Sequence, residues 1–265
     1  MADRPRQGFG TLELVLVGVA LCVMVALGIF AASAITQSSS QRASSGGTPA
    51  PAASPAALAL EPVKPDAVAP APVAAGDQVA QQWVRDLSTR TGISEIAMRA
   101  YASAVLRIGQ EQPACRLGWS TLAAIGGIES GHGTEGGAYL LPDGRTSQPI
   151  LGPALDGTNG FAAIRSTAES VPWHGDLEWD HAVGPMQFIP STWERWESDG
   201  NNDGVEDPSN IFDAAYAAGR YLCATGDLST GTGWSQAVFS YNHSEDYVRS
   251  VLAFANDYAT RGQRE

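Results

Sequence analysis

"GWSTLAAIGGIESGHG", residues 118–133, is the stretch on which the reading of the fold turns. Trp119, Leu122, Ala123 and Gly126 recur at helical spacing with no proline between them, and Gly131 and Gly133 follow where a helix would stop. The pattern predicts a helix ending near Ser130, with Glu129 on its last turn. Burial at that position disfavours the charged carboxylate, raises its pKa and suits it to proton donation near neutral pH. A glutamate at a helix end is, just as simply, a solvated surface group, and the stretch alone does not separate the two. Gly126 and Gly127, without Cβ atoms, permit another backbone or a sugar to approach this helix closely.

Helical signals surround it. In "ISEIAMRAYASAVLRIGQ" (93–110), Ser94 is the expected N-cap and Ala97, Tyr101, Ala104, Val105 and Ile108 share a face. "IPSTWERWE" (189–197) predicts a helix from Pro190 or capped by Ser191, with Trp193 and Trp196 three apart. "NIFDAAYAAGRYLCATG" (210–226) is capped by Asn210 and stopped by Gly226, and "GWSQAVFSYN" (233–242) follows. "SEDYVRSVLAFANDYA" (244–259) places Tyr247, Val248, Val251, Leu252, Ala255 and Tyr258 on one stripe. Between 131 and 183 the periodicity gives way to Gly, Pro, Asp and Thr. Only short extended pieces such as "QPILG" and "FAAIRS" interrupt it, which predicts loops and a small hairpin. The domain is mainly α.

Composition divides the rest of the chain. Residues 14–35 carry no charge and are long enough to cross a bilayer, with Arg4 and Arg6 before them and no basic residue after them until Arg42. The expectation is a short cytoplasmic N-terminus (1–13), a single-pass signal-anchor in the cell membrane with Cys22 facing lipid, and everything later outside it. "ASA" at 32–34 also reads as a cleavage site, which would make the protein secreted. Residues 36–77 are a Ser/Ala/Pro/Gly spacer that cannot bury a core. Residues 78–265 hold all seven tryptophans and suffice for one domain. With a formal charge of −12 and a single lysine, Lys64, the chain excludes nucleic-acid binding through a basic surface. Cys115 and Cys223, outside the cytoplasm in this topology, are expected to pair as a disulfide, the alternative being two buried thiols.

Three further stretches carry chemistry. In "AVGPMQFIPSTW" (182–193), Gly184 and Pro185 set a turn, Gln187 presents an amide and Phe188 an aromatic face, suited either to a hydroxylated ligand or to a loop that satisfies its own backbone. In "YNHSEDYV" (241–248), Tyr241 and Asn242 pair a stacking ring with an amide, unless Asn242 merely caps a helix. "DGNNDGVEDPSNIFD" (199–213) offers Asp199, Asn201 and Asp203 on alternate positions, Gly204 at the sixth and the Val205 carbonyl at the seventh, as in a calcium-binding EF-hand loop. The twelfth position is Asn210 instead of glutamate, so Asp213 or Asp207 would have to close the site, the alternative being an Asx-rich turn without metal.

In order and spacing these motifs resemble the membrane-bound lytic murein transglycosylase B type, with the longer Gly-rich insert of actinobacterial members, across most of residues 80–260. The resemblance implies a lysozyme-like domain of the goose-type lysozyme and lytic transglycosylase class, whose cleft binds glycan strands of peptidoglycan. It carries the catalytic acid onto Glu129 and substrate-binding roles onto Ser130, Gln187, Phe188, Tyr241 and Asn242. A structural Ca2+ falls on Asp199, Asn201, Asp203, the Val205 carbonyl and Asp213, no organic cofactor is implied, and other cell-wall enzymes are the implied partners. Most glycosidases need two carboxylates, but a sugar's own acetamido group can replace one. The implied reaction has Glu129 protonate the β-1,4 oxygen between N-acetylmuramic acid and N-acetylglucosamine. Glu129 then takes the C6 hydroxyl proton as a 1,6-anhydro ring closes without water. A second carboxylate across the cleft, from Glu135, Glu178 or Asp180, would instead make a hydrolytic muramidase. A non-catalytic peptidoglycan-binding module and a calcium-switched interaction protein are the remaining alternatives.

Overall fold

In chain order the elements are β1 (Ala74–Ala75), β2 (Gln78–Val79), α1 (Gln81–Thr91), α2 (Glu95–Glu111), α3 (Trp119–Ser130), β3 (Leu151–Ala154), α4 (Val171–His174), β4 (His181–Val183), α5 (Pro190–Trp196), α6 (Ile211–Cys223), α7 (Gly231–Tyr241) and α8 (Glu245–Gln263). This computed structural model describes residues 78–263 and, before them, 63–65, 69, 71–72 and 74–75. The compact unit to which they belong begins at Ala57.

The expected mainly α architecture is present, and α3 is its centre. Trp119 through Gly126 are all buried, so this helix has no solvated face over most of its length, as befits a core helix. It packs along α8, while α2 packs along α6. The second pairing is close because Ala97, Ala100 and Ala104 of α2 and Ala214, Ala215, Ala217 and Ala218 of α6 are small and fully or almost fully buried. A Cβ added at Gly219 would come within 2.3 Å of the Ile108 side chain, so this approach requires glycine. The α8 stripe is buried at Tyr247, Val248, Val251, Ala255 and Tyr258, with Leu252 at its edge. Trp234 lies against α3 and donates from Nε1 to Thr121 Oγ1 at 3.1 Å.

Ser94 caps α2 by accepting from Ala97 N–H, and Asn210 caps α6 by accepting from Phe212 N–H. Helix α1 was not among the expected elements; it buries Trp83, Val84, Leu87 and Thr91 and ends on Gly92 in the left-handed region. Helix α5 begins at Pro190 with Ile189 as its N-cap, so Ser191 is not the cap. Helix α6 ends at Cys223, before Gly226, where its tail meets the Cys115–Cys223 disulfide; the bond spans 108 residues and confirms the expected pairing.

The small hairpin is real but long-looped. Strands β3 and β4 pair antiparallel, Leu151 with Val183 and Ala154 with His181. The insert between them folds back through bridges Asp156–Ala163 and Arg165–Trp179 and the single turn of α4.

The described residues within the expected spacer make contacts with the domain. Val63 exchanges hydrogen bonds with Ser235 Oγ (2.7 and 2.8 Å), Lys64 Nζ donates to the Ser229 carbonyl, Val63 and Ala69 pack on the core, and β1 pairs with β2. Those contacts give apolar residues a partner that composition cannot reveal. The expected span at 14–35 lies outside the described residues, among which no helix is long and apolar enough to cross a membrane.

Candidate active site

The end of α3 opens into a cleft of about 380 Å3 lined by Glu129, Gln187, Phe188, Tyr241 and Asn242, together with Gly152, Leu155, Phe161, Tyr221 and His243. Five residues singled out in three separate sequence motifs are thus brought together, and among the described residues Glu129 is the one carboxylate in this lining.

Glu129 is carried there by helix geometry: α3 ends one residue later, and Gly131, in the left-handed region at φ 56°, turns the chain away. The carboxyl is partly buried, and burial lifts its pKa from 4.5 to about 7. One interaction opposes this lift. The hydroxyl of Tyr247, buried on the inner stripe of α8, donates to Glu129 Oε1 at 2.5 Å and favours the ionised form. Tyr247 was read only as part of a helical stripe, and its role depends on a contact 118 residues away in the chain. Its own ionisation is pushed well above the usual tyrosine range, by burial first and by the adjacent Glu129 second.

Ser130 is not among the residues that line the cleft. It is buried, donates to the Pro185 carbonyl at 2.6 Å and accepts from Gly133 N–H at 2.8 Å. It therefore ties the end of α3 to the turn that carries Gln187. Nor do Gly126 and Gly127 make room for a sugar or a backbone. A Cβ at Gly126 would lie 2.1 Å from the Tyr101 hydroxyl and 3.1 Å from Met186 Sδ, and one at Gly127 would lie 3.1 Å from the Tyr258 hydroxyl. These glycines accommodate side chains.

Residues 184–187 form a tight turn closed by reciprocal Val183–Phe188 backbone bonds, with Gly184 at φ 78° and Gln187 at φ 50°. A Cβ at Gly184 would meet the Pro208 carbonyl oxygen at 1.9 Å, so glycine is required there by both φ and space. Gln187 Nε2 is occupied by the carbonyls of Gly184 (2.9 Å) and Ile150 (3.3 Å), which leaves Oε1 beside Gly152 at the cleft wall. Half of the amide therefore serves the loop itself. Phe188 is buried, edge-on to Trp193 and Tyr241, and supports the cleft floor instead of offering an open stacking face. Tyr241 donates to the Met186 carbonyl at 2.7 Å, pinning the turn to the end of α7. Asn242 follows as the α7 C-cap residue, exposed at the cleft rim.

Beneath α3, His132 sits between two hydroxyls, Nδ1 3.0 Å from Tyr101 and Nε2 2.9 Å from Tyr258. Burial, helped by Arg261, depresses its pKa to about 4, so the ring is neutral and braces the left-handed turn at φ 62°.

The other carboxylates lie elsewhere. Asp180 is buried against Ser170 Oγ (2.6 Å) and His174 Nε2 (3.2 Å). Glu178 pairs with Arg165 at 2.7 Å on the surface, and Glu135 is exposed on the Glu135–Gly137 turn. None lines the cleft with Glu129.

The 199–213 loop has the helix–loop–helix setting but closes on hydrogen bonds. Asp199 accepts from Asp203 and Gly204 N–H, Asn201 Nδ2 donates to Asp203, and Asp203 accepts from Val205 N–H. Asp213, fully buried, accepts from the N–H groups of Gly200, Asn201 and Asp207, while burial raises its pKa to about 6. Val205 is exposed. Among the described residues no three His, Cys, Asp or Glu side chains converge enough to hold a metal ion. The oxygen-rich chemistry suits a hard cation, but the arrangement does not fit the expected ligand set, because each carboxylate is turned onto a backbone amide.

Neither a protein-family model nor a curated protein matches the chain. Among solved structures, it is similar to the Escherichia coli lytic transglycosylase Slt35 in complex with calcium, at 14% identity and a TM-score of 0.42, over 70% of this chain and 77% of that one. The same enzyme in complex with bulgecin A aligns at 14% identity and a TM-score of 0.41, over 72% and 81%. A 36 kDa muramidase/transglycosylase aligns at 14% identity and a TM-score of 0.42, over 70% and 77%.

Proposed function

We propose that this protein is a peptidoglycan-cleaving lytic transglycosylase. The observation that carries the reading is the lone cleft carboxylate, Glu129, held partly buried with a pKa near 7. A group of that pKa is a competent acid and, once deprotonated, a competent base at neutral pH. With Tyr247 engaged on Oε1, Oε2 is the oxygen that delivers the proton to the glycosidic bond. The same carboxylate then takes the C6 hydroxyl proton of the N-acetylmuramic acid as that oxygen attacks C1, the 2-acetamido group sharing the developing positive charge. The absence of a second carboxylate from the described lining favours this substrate-assisted route over hydrolysis.

Digestion of purified peptidoglycan and mass analysis of the fragments test the proposal. 1,6-Anhydro ends are expected, and their disappearance in Glu129→Gln. Reducing ends would replace the reaction with a hydrolytic one. Glycan binding without any fragment would leave a binding module.

Two lesser parts belong to the same proposal. Residues 14–35 anchor the domain at the outer face of the cell membrane, where its substrate and other wall enzymes lie; membrane fractionation checks this. A structural calcium on the 199–213 loop is supported by the alternation of oxygen donors and opposed by their arrangement. A melting temperature equal in calcium and in chelator removes it.

A further inference from the structure

Among the described residues Phe161 is the one exposed aromatic that the insert contributes to the cleft, which it lines together with Leu155 and Gly152. At 38% exposed, the ring is held by its neighbours on one side and keeps the other open at the cleft, where a ligand can reach it. The hairpin that presents it is built for rigidity. Asp156 accepts from Thr158 N–H (2.8 Å) and Thr158 Oγ1 (2.6 Å), Phe161 N–H closes a turn onto the Thr158 carbonyl, and Ile164 N–H returns to the Leu155 carbonyl at 2.8 Å. Leu155 N–H and the Ile164 carbonyl both engage the Asp180 backbone, and the Asp180 side chain is locked to Ser170 and His174. His181 adds a second bolt, bonding the Gly152 carbonyl from Nδ1 and Asp176 from Nε2.

We infer that the insert builds an additional saccharide subsite, in which Phe161 stacks on the apolar C–H face of an N-acetylhexosamine ring of the strand held at Glu129. The same cleft also offers what a hexosamine needs: the exposed Asn242 amide and the Tyr221 side chain. The inference rests on the glycan-cleaving reading and adds a residue that sets how much of the strand the enzyme grips. Phe161 acts by positioning the strand and takes no part in the chemistry.

The test uses the full chain carrying Glu129→Gln, which binds without cutting, and soluble N-acetylglucosamine oligomers of increasing length. Phe161→Ala weakens binding of the longer oligomers about tenfold and leaves the shortest unchanged, the scale of one aromatic contact. Phe161→Trp restores it, whereas Phe161→Leu, apolar but not a platform, does not. With Glu129 intact, Phe161→Ala raises KM and spares kcat, and thermal melting falls only slightly because the ring is partly covered but outside the buried core. Equal binding by Phe161→Ala at every length, or full rescue by Leu, overturns the subsite. If instead Glu129→Gln still cleaves peptidoglycan, the assignment of the acid fails, while the binding comparison continues to report on Phe161 alone.

Discussion

Replacing Glu129 by Gln tests the site through stability, independently of any substrate. A carboxyl lifted by burial from 4.5 to about 7 is most favourable to the folded state when protonated. Its contribution is fully present below 4.5 and is lost as pH rises through about 7. At about 1.4 kcal/mol per pH unit the full cost of ionisation is roughly 3 kcal/mol, and the accessible edge of the carboxyl brings the expectation to roughly 2 to 3 kcal/mol. Glutamine keeps an oxygen to accept from Tyr247 and never ionises. His132 works in the opposite sense: depressed to about 4, its contribution is present above 6.5 and lost as pH falls through about 4. Wild-type stability across this range is therefore a sum of opposed trends and is uninformative alone. Both proteins contain His132, so the difference between them isolates Glu129. Urea unfolding from pH 4 to 8.5 should show the two equal at the acid end and the Gln variant ahead by roughly 2 to 3 kcal/mol at pH 8, a midpoint shift of about 1 M or more. A gap that does not change with pH, or a wild type that is the more stable above pH 7, refutes the reasoning.

Three other outcomes are expected. Tyr247→Phe removes the bond that favours the Glu129 carboxylate, so the pH–activity profile moves alkaline by about 1 to 2 units, read from kcat against pH; an unmoved or acid-shifted profile contradicts the assignment. Cys115→Ser with Cys223→Ser releases a crosslink spanning 108 residues and lowers stability by about 4 to 5 kcal/mol in a chain-entropy account, measured by denaturant titration. Gly126→Ala drives a methyl into Tyr101 and Met186; a loss of about 1 to 3 kcal/mol is expected, with reduced activity because the Met186 carbonyl holds Tyr241.

Legibility followed the range of the interaction. Caps at Ser94 and Asn210, the run of α3 and the stripe of α8 rest on residues a few positions apart, and these stand as read. The five cleft residues were also recognisable by type. Their tasks were less so. Ser130 looked like a ligand contact and is a clamp, because its partner, the Pro185 carbonyl, is 55 residues away. Phe188 looked like a stacking face and is core, because Trp193 and Tyr241 close over its edges. Gln187 gives half its amide to its own turn, and the Asp-rich loop satisfies itself with backbone N–H groups where alternation alone suggested a cation site.

By itself the sequence determined a mainly helical domain, an acid at the end of its most apolar helix, and a cysteine pair free to join. Helix periodicity, capping and glycine stops are local properties, written within a turn or two of chain. The tertiary structure alone decided that Glu129 meets Tyr247, that the rival carboxylates Glu135, Glu178 and Asp180 stay out of the cleft, and that Phe161 enters it. Those outcomes depend on how α3 packs against α8 and on where the insert folds back. Burial, the quantity that turns an ordinary glutamate into a proton donor near neutral pH, exists only once those distant surfaces have met.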